Sequence, residues 1–125
     1  MNTTAREPAA KDIKDIIIRH VNAFLSNDLD GVLSDYSPDA VLMTRSDTYT
    51  GPDEIRSFFA ELMIHFPQQE SAFQLDKLEV HEELAFIIWH AITPSVDVLL
   101  GSDTFMIKDG KILRQTFVAE LKFIP

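Results

Sequence analysis

The sequence predicts an α+β domain in which helices lie on one face of a curled antiparallel sheet. Three observations carry this reading. The first half holds two apolar stripes at helical period, the second half holds four long strand-like runs, and only "EE", "PS" and "DG" separate those runs. Connections that short make neighbouring strands antiparallel hairpins. Helices first and strands afterwards is the order of an α+β chain rather than of alternating βαβ units.

Each element follows from its residues. Pro8 and the polar residues around it precede a helix from about Ala9 to Asn27, with Ile13, Ile16, Ile17, Val21 and Phe24 on one stripe. "NDLDGVLSDY" suggests a turn and a short second helix, with Leu29, Val32, Leu33 and Tyr36 facing inward. "SPDAVLMT" enters a strand from Ala40 to about Thr44. "TGPDEIRSFFAELMIHF" opens with breakers and first-turn acids, as a helix start should, and Pro67 ends it. Residues 72–81, 84–93, 96–108 and 111–123 are the four strands. The whole, residues 1–125, is one domain by length, with residues 1–8 expected to form a poorly ordered tail.

Composition narrows the function classes. The chain has 46% apolar and 25% charged residues, an ordinary globular balance, and a net charge of −9. A surface so acidic repels phosphate backbones and anionic lipid, so neither nucleic acid nor membrane is an expected partner. The absence of cysteine excludes disulfides and thiolate chemistry. No signal-peptide core and no membrane-length apolar run is present, which makes the cytoplasm the default expectation. The histidines at 20, 65, 81 and 90 lack metal-ligand spacing, and no phosphate loop or calcium loop occurs, so no metal and no cofactor is expected.

The chemistry lies in polar residues on apolar faces. In strand parity Asp103 shares its side with Leu99, Phe105 and Ile107, although carboxylates are rarely buried without a partner. Gln115 alternates with Leu113, Phe117, Ala119 and Leu121, and His20 falls within the stripe of the first helix. His90 shares a face with Phe86, Ile88 and Ile92; the opposite face carries Ala85, Ile87, Trp89 and Ala91. A strand apolar on both sides needs cover on both sides. A homodimer packed through Ile87, Trp89 and Ala91 is therefore expected. A core histidine bonded to a carbonyl is the ordinary explanation for His20 or His90 taken alone. Together the polar groups describe a pocket for a small apolar molecule carrying a polar group.

Three blocks carry a resemblance. "AFLSNDLDGVLSDYSPDAVLMT", "YTGPDEIRSFF" and "SDTFMIKDGKILRQTF" resemble segments of the nuclear transport factor 2-like superfamily, in its SnoaL-like and ketosteroid isomerase-like branch. The resemblance implies a cystatin-like cone of curled sheet closed by the N-terminal helices, with an interior pocket. That pocket serves ketosteroid isomerases, SnoaL-like polyketide cyclases, scytalone dehydratase and limonene epoxide hydrolase, while other members only bind or assemble. By this resemblance Asp103 falls on the isomerases' oxyanion-hole aspartic acid, a carboxyl kept protonated so that it can donate. His20 falls on their oxyanion tyrosine and Thr44 on their catalytic base.

Threonine is no general base near neutral pH, so the isomerases' proton shuttle is missing here, and His90 is the alternative base, with Asp103 as its partner. The resemblance also implies Phe86, Ile88, His90, Gln115 and Phe117 on the pocket wall. Phe59 and Met63 of the third helix join this ligand-binding set. The expected function is a cofactor-free isomerase, cyclase or dehydratase acting on an apolar carbonyl or hydroxyl compound. His20, His90 and Asp103 would do acid–base work while Gln115 and Thr44 orient the ligand. The alternative is a noncatalytic binding or association module of the same fold.

Overall fold

A computed structural model describes residues 10–125. The expected tail and the start of the first helix at Ala9 lie outside the described residues. Helices α1 (Ala10–Leu25), α2 (Leu29–Leu33) and α3 (Gly51–Ile64) precede most of the sheet. Its strands are β1 (Tyr36–Thr44), β2 (Thr48–Thr50), β3 (Ala72–His81), β4 (Leu84–Ile92), β5 (Val96–Lys108) and β6 (Lys111–Phe123). They form one curved sheet in the order β2-β1-β6-β5-β4-β3. The two edge strands do not pair with each other, so the sheet is open and the helices cover its concave side.

Local chemistry sets the ends of these elements. Asp28 caps α2 by accepting from the Gly31 amide at 3.0 Å. Pro52 sits in the first turn of α3, and Glu54 accepts the Thr50 amide at 2.8 Å, satisfying one of the donors a helix start leaves free. The "DG" hairpin turns through Asp109 and Gly110, both at positive φ (53° and 76°), as a two-residue hairpin of this twist requires.

The sheet differs from expectation at its first strand. β1 begins at Tyr36, so α2 is shorter than predicted and Tyr36 is a strand residue. β1 also runs parallel to β6, because α3 and four strands separate the two and no hairpin constrains their direction. Bulges then shift parity. One between Val98 and Leu100 turns Leu99 outward, where it is exposed, so Leu99 does not share the side of Asp103.

The core lies between the sheet and the helices. Ile13, Ile17, Leu42, Ile55, Phe105, Ile107 and Ile112 are almost wholly buried there. Five polar side chains are buried with them: His20, Asp35, Thr93, Asp103 and Gln115.

Candidate functional site

Register across the sheet decides which side chains meet. Ile87, Asp103 and Phe117 are direct partners on β4, β5 and β6, and Phe105 pairs with Gln115. Paired residues share a face, and here that face is the one the helices cover. α1 lowers His20 onto it, α3 contributes Phe59 and Leu62, and Tyr36 enters from the start of β1. Here lies a cavity of about 50 Å³, lined mainly by aromatic and aliphatic groups with His20, Asp103 and Gln115 among them; Tyr36 reaches two of these, His20 and Gln115, without lining it.

Asp103 is the chemical centre of the cavity. The Trp89 indole N–H donates to its Oδ1 at 2.9 Å, and the Gln115 amide donates to its Oδ2 at 2.8 Å. Gly101 makes the first contact possible. It pairs with Trp89 across the ladder, and a Cβ there would stand 2.2 Å from an indole carbon. Without a side chain at 101 the indole lies across β5 and reaches the carboxylate two residues along. Burial raises the proton affinity of Asp103, and hydrogen bonds from Trp89 and Gln115 with the field of His20 oppose it in part. The net result is a carboxyl pushed up to about 6.

The polar groups continue as a chain. Gln115 Oε1 accepts from the Tyr36 hydroxyl, whose oxygen is 3.4 Å from His20 Nε2. His20 Nδ1 is 3.4 Å from Asp35 Oδ2. Arg19 reaches the other oxygen, Asp35 Oδ1, with Nε at 3.0 Å and Nη2 at 2.5 Å. Burial raises the Asp35 carboxyl, but His20 and Arg19 outweigh it and hold it below the usual carboxylate range. Burial, with the charges of Asp103 and Asp35, pushes the Tyr36 phenol well above its ordinary value.

The expected site residues divide accordingly. His20, Asp103, Gln115, Phe59 and Phe117 line the cavity. Met63 packs against the core without lining it. Thr44 instead organises the β1–β2 turn, its Oγ1 accepting from the Ser46 and Asp47 amides at 3.3 and 3.1 Å.

β4 is inverted relative to expectation. Phe86, Ile88 and His90 face the outer side of the sheet, and His90 Nδ1 lies 2.6 Å from Asp76 Oδ2 rather than near Asp103. Ile87, Trp89 and Ala91, the expected dimer contact, are buried on the side the helices cover, with Ala85 beside them. A strand apolar on both faces leaves hydrophobicity indifferent to its orientation. The gap over Gly101 and the need of the indole N–H for an acceptor decide it.

Sequence reasoning missed Trp89, Tyr36 and Asp35 as site residues. An indole N–H within an apolar strand was the available signal for Trp89. No local pattern marks Asp35, whose partners come from α1. Among the described residues no group of three or more His, Asp or Glu side chains could hold a metal ion.

Comparisons with known proteins agree on the architecture. A designed protein with a curved β-sheet superposes with a TM-score of 0.79 at 14% identity, covering 90% of this chain and 88% of that one. A candidate polyketide cyclase from Sinorhizobium meliloti gives 0.71 at 21% identity, covering 85% and 97%. An epoxide hydrolase of M. tuberculosis, similar to limonene epoxide hydrolase, gives 0.70 at 14% identity, covering 90% and 86%. At such identities the likeness shows the fold alone, and a designed scaffold stands beside the natural ones. No functionally curated protein matches the chain. A family profile described as the SnoaL-like domain matches residues 17–115, a stretch that contains His20, Tyr36, Trp89, Asp103 and Gln115. The chain belongs to the SnoaL-like domain family.

Proposed function

We propose that this protein binds a small, largely apolar molecule through one carbonyl or hydroxyl oxygen. The reading extends to cofactor-free acid–base chemistry on that molecule, of isomerase, cyclase or dehydratase type. The observation that carries it is Asp103, a buried carboxyl fixed by Trp89 and Gln115, with its proton held up to about pH 6 on the cavity floor. Below about pH 6 such a carboxyl carries a proton, which it can donate to a ligand oxygen in place of Gln115 as negative charge develops there. His20 is the second titratable group at the cavity and takes the role of proton acceptor in place of His90.

The volume limits the ligand. Fifty cubic ångströms is close to the share of one or two water molecules, and a second apolar cavity of about 50 Å³ lies beyond Leu62, Trp89 and Phe117. Those three side chains line both cavities, so a larger apolar body enters by displacing them. The noncatalytic alternative is favoured by Thr44, which supplies no base and does not reach the cavity.

A direct test titrates the protein with a compact cyclic β,γ-unsaturated ketone and with a hydrocarbon of equal size, following emission of Trp89, the sole tryptophan. The ketone is expected to change the emission, to bind at least about tenfold more tightly than the hydrocarbon, and to isomerise to its conjugated form. Asp103→Leu and His20→Ala are expected to abolish the isomerisation. Binding without turnover assigns the chain to the noncatalytic reading, and equal affinity for both compounds removes Asp103 as the anchoring group.

A further inference from the structure

The far end of the polar chain is unexplained by ligand binding. Asp35 is wholly buried and does not line the cavity, yet its Oδ2 faces His20 Nδ1 at 3.4 Å. Neither atom has a hydrogen-bond partner elsewhere among the described residues, since Arg19 occupies only Oδ1. The proton inventory then constrains the ring. If the Nδ1 lone pair faced the carboxylate lone pairs, two buried acceptors would oppose each other with no donor for either. A proton on Nδ1 removes that conflict.

Consequences run along the chain to the cavity. When Asp103 is ionised it accepts from Trp89 and Gln115, and Gln115 accepts from Tyr36. Tyr36 then has no proton left for His20, so His20 Nε2 must carry one as well, and the ring is an imidazolium. When Asp103 is protonated, the Gln115 amide turns over and every bond reverses. Asp103 donates to Gln115, Gln115 to Tyr36, Tyr36 to a neutral His20, and His20 to Asp35.

We propose that Asp35, clamped by Arg19, is a positioning residue that fixes a proton on His20 Nδ1, so that a neutral His20 turns its Nε2 lone pair toward the Tyr36 hydroxyl. Asp35 acts through His20 and does not line the cavity. Ionising Asp103 while His20 stays neutral leaves the Tyr36 oxygen and His20 Nε2 facing each other with no proton between them. The titratable or charged groups facing this chain are Arg19 and His20 from α1, Asp35 and Tyr36 at the α2–β1 junction, and Asp103 from β5. α3, β3, β4 and β6 add only aromatic, aliphatic and amide side chains. The inference rests on reading His20 as the pocket's proton acceptor, but its test uses protein without ligand, so the two fail separately.

Nitrogen NMR of the imidazole is the first measurement. Neutral His20 is expected to carry its proton on Nδ1; finding it on Nε2 in the wild type overturns the proposal without any variant. Asp35→Asn presents an amide N–H to Nδ1 and is expected to move the proton to Nε2. Asp35→Glu, which restores a carboxylate, is expected to return the proton to Nδ1. In Tyr36→Phe, which removes the partner of Nε2, Asp35 is expected still to hold the proton on Nδ1. A proton that stays on Nδ1 in folded Asp35→Asn, or that leaves it in Tyr36→Phe, shows that Asp35 does not set the tautomer.

Discussion

Asp103 has two neutral donors on its carboxylate and no Lys or Arg in contact among the described residues. Its folded carboxyl holds a proton up to about pH 6, whereas the unfolded one releases it near 3.8. Between these values the native state binds more protons, so this group's contribution to stability is full below 3.8 and is lost as the pH rises through 6, by about 3 kcal/mol. Asp35 has the opposite sign. Its depressed carboxyl contributes stability above 3.8 that is lost as the pH falls. Asp103→Asn keeps the Trp89 bond and offers an N–H to a turned Gln115 amide, while removing the buried charge. The variant is expected to melt higher than the wild type near pH 7 and to lose the decline between pH 4 and 6 in thermal unfolding. An unchanged pH profile would show that Asp103 is not the buried acid described here.

At the scale of elements, β4 and β5 work as a pair because a glycine faces the tryptophan. A methyl group at 101 would overlap the indole, which is flanked by Phe66, Phe73 and Phe117 and has little room to retreat. Gly101→Ala is expected to cost about 1–3 kcal/mol in denaturant unfolding, as overpacking does, and to shift Trp89 emission by pulling the N–H off Asp103. Unaltered emission would show that the indole does not depend on that gap. Strand limits were legible in the alternation and hairpin residues, and β3, β5 and β6 span 72–81, 96–108 and 111–123 as expected. The bulges at Leu99 and between Trp89 and Ala91 were not, since an extra residue in a strand leaves no mark in a two-residue period.

For the whole molecule, the inversion of β4 relocates the apolar face that lacks cover. Ile88, Ser102 and Val118 form a row in register across β4, β5 and β6 on the outer side, with Leu84 and Met106 nearby. Val118 is 52% exposed and Leu84 is 44% exposed. Within β4, β5 and β6 the row is uncharged, and Lys77 of β3 pairs with Ile88 at its edge. The pairing of two copies expected from the sequence is therefore predicted at this outer face rather than at Ile87, Trp89 and Ala91. Sedimentation at micromolar concentration is expected to give a dimer, and Ile88→Glu a monomer with unchanged Trp89 emission. A wild-type monomer ends the idea. No described helix is long and apolar enough to cross a membrane.

The sequence by itself determined the α+β order, the strand limits, and the presence of Asp103, His20 and Gln115 on apolar faces. Those are consequences of period and polarity, which a chain carries locally. Only the tertiary structure decided which face of β4 turned inward, because both faces are apolar and the choice depended on Gly101 in a different strand. It also decided that Asp35, Tyr36 and Trp89 would join the three residues already visible. Their partners lie between 14 and 79 positions away in the chain, and hydrogen bonds over that separation exist only once strands and helices have packed together.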